Sequence, residues 1–431
     1  MLTATLVGLL ALAASSLFVA AVLGLLGGGL AVLYSPLPLI RGLGEISWTA
    51  SADFVLVAVP MFILMGELLL RSGVTDDLYV ALDRWVGHIP GGLMHTNIAA
   101  SALFAATSGS SIATAATIGT VSIPNMERFG YKPALFLGTI AAGGTLGILI
   151  PPSINMVLYG ALSETAVSDL YLAALIPGVL MAVLFSAYVY IACKLRPDLA
   201  PRTVPVAWRE RFAGLVHLIP PILLFLLVVG SIYAGFATPT EASALGAMGS
   251  LGLVAWRRRL TVALLLRAFE GTVRTTAMVM LIVIVAFFLN FVLSTLGITD
   301  MAVKLVSGLS WPPVAVLAAI VVLYLVLGCF VETLTLMIAT TPIIVPVIKQ
   351  LGYSPVWFGV VFVILIEAAL ITPPIGMNLF VVQSLRKGGA FRDVVVGSLP
   401  FVAVMLLMIV LLTAFPALAL WLPALFAATR G

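Results

Sequence analysis

Two short stretches of this chain combine proline with polar groups suited to holding ions. Ile150-Pro151-Pro152-Ser153-Ile154-Asn155 follows a glycine-rich run, Gly143-Gly144-Thr145-Leu146-Gly147. Glu367 precedes the counterpart, Thr372-Pro373-Pro374-Ile375-Gly376-Met377-Asn378. A Pro-Pro pair removes two backbone donors and clashes with the preceding turn, so a helix must unwind there. Unwinding frees carbonyls on one side and starts a fresh helix N-terminus on the other. Carbonyls and hydroxyls coordinate Na⁺, whereas a helix N-terminus favours an anion. A proline kink would explain one such stretch. Two at matched positions, each followed by asparagine, point to a binding site.

Two polar interruptions in apolar sequence have the same character. Ser108-Gly109-Ser110-Ser111 offers small hydroxyls around a flexible turn, with Thr114 and Thr117 continuing along the chain. Glu332 and Thr333 stand at the positions of the second copy that match Ser110 and Ser111. Serine and threonine also serve simple helix packing in membranes. A carboxylate at the bilayer centre, however, costs about 2.5–3.5 kcal/mol on insertion scales, which calls for a partner such as a coordinated cation. Glu367 occupies the position equivalent to Thr145 and suits either a cation or a structural hydrogen bond. Glu67 reads as a helix-packing or snorkelling residue, and Thr238-Pro239-Thr240-Glu241 as a capped helix start.

The matched positions belong to a longer pattern. Pro124, Gly130-Tyr131-Lys132-Pro133 and Pro151-Pro152 recur at one constant spacing as Pro346, Gly352-Tyr353-Ser354-Pro355 and Pro373-Pro374. Gly73-Val74-Thr75-Asp76 recurs at nearly the same spacing as Gly297-Ile298-Thr299-Asp300. Composition says what kind of protein repeats itself this way. The chain of 431 residues is 62% hydrophobic and 9% charged. That is more apolar than a soluble fold can bury. Its net charge of +4 is spread over loops. Such a distribution argues against nucleic-acid binding and for a chain embedded in a lipid bilayer. The two cysteines form no disulfide framework or metal spacing, and no phosphate-binding loop or zinc-peptidase motif is present.

Apolar spans are predicted near 4–33, 50–70, 134–162, 169–193, 214–236, 240–256, 275–297, 356–384 and 394–422. The first is too long for a signal-peptide core and is expected to stay in the protein. The regions 92–126 and 312–348 carry the polar interruptions and read as re-entrant hairpins, since irregular backbone at membrane depth must line a cavity or lie buried. An interfacial amphipathic helix is expected at 260–274, with a second candidate at 197–212. Lys194, Arg196, Arg202, Arg209, Arg211, the Arg257–Arg259 run, Arg386, Lys387 and Arg392 place the N-terminus in the cytoplasm and the C-terminus on the far side. Arg41 and Lys304 fall in outer loops but are isolated. Five crossings separate the start of the second span from the start of the seventh, so the two copies are predicted to run in opposite directions. The expected architecture is an all-α polytopic membrane protein of two inverted repeats, 1–213 and 214–431. Each holds a hairpin and a Pro-Pro-broken helix (134–162 and 356–384), as in alternating-access carriers.

The chain resembles the large membrane subunit of the tripartite ATP-independent periplasmic (TRAP) transporters over nearly its full length. The resemblance rests on Pro60–Glu67, the Ser108–Ser111 tip, Gly147–Ser153, Thr238–Ala242 and Thr372–Asn378. It implies a Na⁺-coupled, elevator-type carrier of small organic acids in the bacterial inner membrane. It also implies a periplasmic substrate-binding protein and a small four-helix membrane subunit, here expected as a separate chain. The position of Glu332 often holds aspartate in relatives, which changes the ligand geometry. The expected ion and substrate site comprises Ser108, Gly109, Ser110, Ser111, Thr145, Gly147, Pro151, Ser153, Asn155, Glu332, Thr333, Glu367, Thr372, Pro373, Gly376 and Asn378. The alternatives are a stand-alone dicarboxylate-type carrier, a membrane-embedded enzyme, disfavoured by the lack of a nucleophile–base set, and a passive channel.

Overall fold

A computed structural model describes Gly8 and residues 18–201, 206–308, 310–331 and 333–430, with backbone only at 106, 107, 429 and 430. Among them the secondary structure is helical, with no strand. The expected first span is described from Val19, as α1 (Val19–Tyr34). A short helix α2 (Leu43–Ser51) leads to α3 (Ala58–Ser72) and α4 (Val74–Val86). The first hairpin is α5 (Leu93–Ser108) and α6 (Ser111–Phe129), and the first broken helix is α7 (Pro133–Leu149) and α8 (Ile154–Ser163). The long α9 (Val167–Leu195) completes this half.

After α10 (Trp208–Gly214), α11 (Ile219–Phe225) and α12 (Pro239–Trp256), the same order returns. The helix α13 (Val262–Thr295) is followed by α14 (Ile298–Gly308), then by α15 (Pro313–Gly328) and α16 (Thr333–Gln350). The second broken helix is α17 (Pro355–Leu370) and α18 (Met377–Ser384), and α19 (Phe391–Ala414) answers α9. A terminal α20 (Ala417–Arg430) follows. The halves match in backbone detail as well. Gly73 and Gly297 both turn in the left-handed region, at φ 72° and 68°, as do Gly130 and Gly352, at 75° and 83°. Both Pro-Pro bonds are cis. Glycine is the residue that adopts such φ values without a Cβ penalty, so the repeated glycines mark repeated turns.

Several expected elements differ. Residues 262–274 do not form a separate interfacial helix: they run without a break into the apolar stretch, as the 34-residue α13. Nothing in that stretch interrupts the helix, because its charged residues are all good helix formers. The stretch 394–422 divides at Phe415-Pro416 into α19 and α20, since the proline cannot continue the helix. The stretch 214–236 bends by 47° before Ile219, where Pro220 and Pro221 open the next helix. Five described helices are long and apolar enough to cross a bilayer alone, and up to seven spans result if each bent pair counts as one. The sequence predicts nine spans, two of them broken at Pro-Pro; breaks and short described helices such as Val19–Tyr34 account for the lower number. The 197–212 region holds a turn at Pro197–Leu199 and α10, while 202–205 lie outside the described residues. In α10, Trp208 and Phe212 are exposed, and Trp85 of α4 donates to the Arg211 carbonyl at 3.0 Å.

Two helices at the centre of the core, the first halves of the broken helices, are buried almost throughout. From Leu135 to Leu149 every residue of α7 is buried, and so is every residue of α17 from Trp357 to Leu370. Both are apolar on all sides, as helices surrounded by protein must be. Small residues bring the backbones together, which is how membrane helices pack without a hydrophobic drive. Gly138 and Ala134 of α7 meet Gly397 of α19 so closely that a Cβ on Gly397 would fall 1.8 Å from the Ala134 carbonyl oxygen. The amphipathic α4 braces the first hairpin at its base. Tyr79 donates to Asn97 Oδ1 at 2.7 Å, and Thr96 donates to Asp83 at 3.2 Å. Burial raises the Asp83 carboxyl above its ordinary range, opposed by the Thr96 hydrogen bond.

Candidate functional site

The first hairpin turns where the sequence suggests. Gly109 ends α5 in the left-handed conformation, at φ 61°. Ser110 caps α6, its hydroxyl accepting from Ala113 N at 3.3 Å. Both are the usual chemistry of helix ends, a glycine closing one helix and a serine opening the next. Thr114 donates to the Ser110 carbonyl at 2.7 Å and shares a 2.9 Å hydrogen bond with the Ser108 hydroxyl. The tip is therefore an ordered knot of hydroxyls and carbonyls. It lies directly on the first broken helix, because α7 offers glycines there. A Cβ on Gly147 would come within 2.7 Å of the Ser110 carbonyl oxygen, and one on Gly109 within 3.3 Å of the Pro152 carbonyl oxygen.

Both Pro-Pro stretches break their helices. Between α7 and α8 the axis bends by 45°, and the chain restarts with Ser153 capping α8, its hydroxyl accepting from Met156 N at 3.4 Å. Pro151 is buried in this turn, and Tyr171 donates to the Ser153 carbonyl at 3.1 Å. The second break is longer, from Ile371 to Gly376, with Gly376 left-handed at φ 58° ahead of α18. Pro373 is half-buried within it. Thr145 and Thr372 each donate to a carbonyl of their own helix, at 2.6 and 2.7 Å.

One hydrogen bond between the two halves of the chain lies at the tip. Ser111, beside the tip, donates to Glu367 Oε2 at 2.6 Å, and both side chains are buried. The other carboxylate oxygen, Glu367 Oε1, has no partner among the described residues. Two further buried polar atoms nearby are in the same state: Asn378 Oδ1 and Asn155 Nδ2. Asn378 uses its amide nitrogen for a long bond, 3.4 Å, to the Ala141 carbonyl. Buried polar atoms normally find partners, so three orphans around one tip are what a site for a small ligand presents. Two are acceptors, suited to a cation, and one is a donor, suited to a carboxylate.

A cavity of about 440 Å³ opens beside these atoms. Six of the expected residues line it: Ser108, Gly109, Ser110, Ser111, Asn155 and Thr333. Thr145, Gly147, Pro151, Ser153, Glu367, Thr372, Pro373, Gly376 and Asn378 do not line it and belong to the two breaks and the helix turns beside them. Glu332 lies outside the described residues. The opposite wall belongs to α3 and α13, through Ile63, Gly66, Glu67, Thr275 and Met278. Glu67 is thus more than a packing residue. Its carboxylate pairs with Arg71 and rests on Gly271 of α13, where a Cβ would fall 2.7 Å from Glu67 Cδ. The sequence signal for this is an acid inside an apolar helix, one turn before a base. Among the described residues no cluster of three His, Cys, Asp or Glu side chains gathers to hold a metal. A cation at this site would be held by carbonyl, hydroxyl and single carboxylate oxygens, the donor set of an alkali ion.

Comparison with known proteins shows what the chain is similar to. Residues 6–418 match the family described as "Tripartite ATP-independent periplasmic transporter, DctM component". The C4-dicarboxylate TRAP transporter large permease protein DctM of Pseudomonas aeruginosa is 35% identical over 404 residues, 93% of each chain. The sialic acid TRAP transporter large permease protein SiaM of Vibrio cholerae is 35% identical over 87% of each chain. These relatives are transporter permeases and not enzymes. In fold, the chain is similar to the YdaH transporter of Alcanivorax borkumensis, with a TM-score of 0.65 over 93% of this chain at 16% identity.

Proposed function

Because this chain belongs to the DctM component family of the tripartite ATP-independent periplasmic transporters, we propose that it carries a small organic acid anion inward together with Na⁺. The observation that carries this reading is the Ser111–Glu367 bond with its three unpaired neighbours. Na⁺ takes the free acceptor atoms and the carbonyls of the tip and the breaks. The acid then binds in the cavity against Asn155, the tip hydroxyls and backbone N–H groups, without an arginine in the lining. Glu332, at the sequence position that matches Ser110, is a further candidate for the ion.

The two halves run in opposite directions as inverted repeats, 1–213 and 214–431. The unit that moves contains both hairpins and both broken helices, and α3 and α13 belong to the scaffold it slides against. The chain lies in the bacterial inner membrane with its N-terminus in the cytoplasm and its C-terminus in the periplasm. A periplasmic binding protein delivers the substrate, and a small four-helix subunit joins the scaffold. With more Na⁺ than substrate charge, each net positive charge moved inward gains about 2.3 kcal/mol per 100 mV, so the membrane potential can drive uptake.

Ser110 tests the reading directly. Ser110→Ala removes a cavity hydroxyl and a helix cap, the latter worth about 1 kcal/mol. Radiolabelled Na⁺ and labelled substrate should enter proteoliposomes in a fixed ratio with the native chain. With Ser110→Ala both fluxes should fall at least about tenfold, a loss of about 1.4 kcal/mol in binding, and Ser110→Thr should recover them. Unchanged coupled flux in Ser110→Ala would remove the tip from the ion site.

A further inference from the structure

A second concavity shares no residue with the cavity at the hairpin tip. This groove of about 440 Å³ runs between the start of α7, the end of α9 and the early turns of α19. Its floor is apolar, with Leu135, Ile191, Leu195, Leu199 and Val396. Leu195 is 76% exposed, Ile191 54% and Val396 48%, so the floor continues onto an apolar outer surface. Its lining also holds two bases, Lys132 and Arg196, neither in an ion pair among the described residues. Arg392 extends the basic end: it lies one turn before Val396 and two before Pro400, which places all three on one face of α19. Lys132 immediately precedes α7, where unpaired N–H groups at the helix start add to the attraction for an anion.

A site apolar along its length and cationic at one end matches a molecule that is apolar at one end and anionic at the other. We propose that this groove holds one anionic phospholipid, its phosphate at Lys132 and Arg196 and an acyl chain along Leu135, Ile191 and Val396. Because α7 and α19 meet at Gly138 and Gly397 beside it, the lipid touches the helix pair that supports the first break. The proposal depends on the chain lying in a membrane. It does not depend on the substrate, the coupling ion or the direction of transport.

The test is native mass spectrometry of the carrier, purified with its associated subunits and titrated with phosphatidylglycerol or phosphatidylcholine. Phosphatidylglycerol should bind more tightly. A basic side chain near a lipid surface is worth about fivefold in affinity, so Lys132→Ala with Arg196→Ala should weaken phosphatidylglycerol about thirtyfold. Arg267→Ala with Arg274→Ala removes equal charge from exposed positions on α13 and should leave binding unchanged. Ala192→Phe keeps every charge and fills the groove, so it should abolish the adduct, and it serves if the double variant does not fold. Equal binding of the two lipids, equal losses in both double variants, or an adduct retained in Ala192→Phe would each overturn the assignment. So would an adduct seen only after the associated subunits are stripped away, which would make this face a protein interface.

Discussion

Glu367→Gln should leave a folded carrier that no longer couples uptake to Na⁺. Glutamine keeps the size of the side chain and can still accept the Ser111 hydrogen bond, so the packing around α17 has no reason to change. What it loses, on the proposed reading, is the charge that a bound Na⁺ would face at the unpaired Oε1. Breaking a buried charge pair costs about 3–5 kcal/mol, so the Na⁺ concentration for half-maximal uptake should rise at least about a hundredfold. A neutral structural carboxyl behaves in the opposite way: glutamine imitates the protonated acid, and uptake would continue at the native rate. Measuring the Na⁺ dependence of initial uptake rates separates the two, with thermal melting as the check on folding. Ser111→Ala provides the second arm. It leaves Glu367 Oε2 without its described partner, and should weaken Na⁺ binding less than the loss of charge does.

Gly397→Ala should prevent normal assembly of the helix core. The added Cβ would lie 1.8 Å from the Ala134 carbonyl oxygen and 2.5 Å from its carbon, both backbone atoms that cannot rotate away. The helices α7 and α19 must separate along their contact, and α7 also supports the hairpin tip. Overpacking by one methyl group typically costs about 1–3 kcal/mol when side chains can yield. Against fixed backbone the cost should exceed that range and appear as a large drop in melting temperature or loss of protein from the membrane. Gly252→Ala, on α12 with open space around its Cβ position, should be silent and serves as the control. A Gly397→Ala carrier as stable as the native one would mean that these helices do not pack at this distance.

Both broken helices and the first hairpin are legible in the sequence because their signals are local. A Pro-Pro pair or a Ser-Gly-Ser-Ser tip acts on the backbone that carries it, whatever surrounds it. The matched glycines do more, since Gly73 with Gly297 and Gly130 with Gly352 predict turns that share the same φ region. Sequence misleads where a boundary depends on the absence of a signal. The charged residues Arg267, Glu270 and Arg274 suggest an interfacial segment, yet they are strong helix formers and simply extend α13. Partnerships between distant residues are not legible. Glu367 stands out as a candidate, but its bond to Ser111, far earlier in the chain, follows from how α6 and α17 pack. Glu67 reads as a helix-packing or snorkelling residue, whereas its place on the cavity wall depends on α3 and α13 facing the tip.

The proposed carrier takes up its substrate only with Na⁺ and only when the substrate is delivered to it. The direct measurement uses proteoliposomes holding this chain with the proposed small partner subunit, supplied with labelled organic acids that include C4-dicarboxylates and sialic acid. Each acid is offered with and without an inward Na⁺ gradient, and with and without the cognate periplasmic binding protein. Uptake of one acid that requires both the gradient and the binding protein is the predicted result. Uptake that needs Na⁺ but ignores the binding protein would make this a stand-alone carrier, and uptake driven equally well by a proton gradient alone would contradict the Na⁺ site proposed at the hairpin tip.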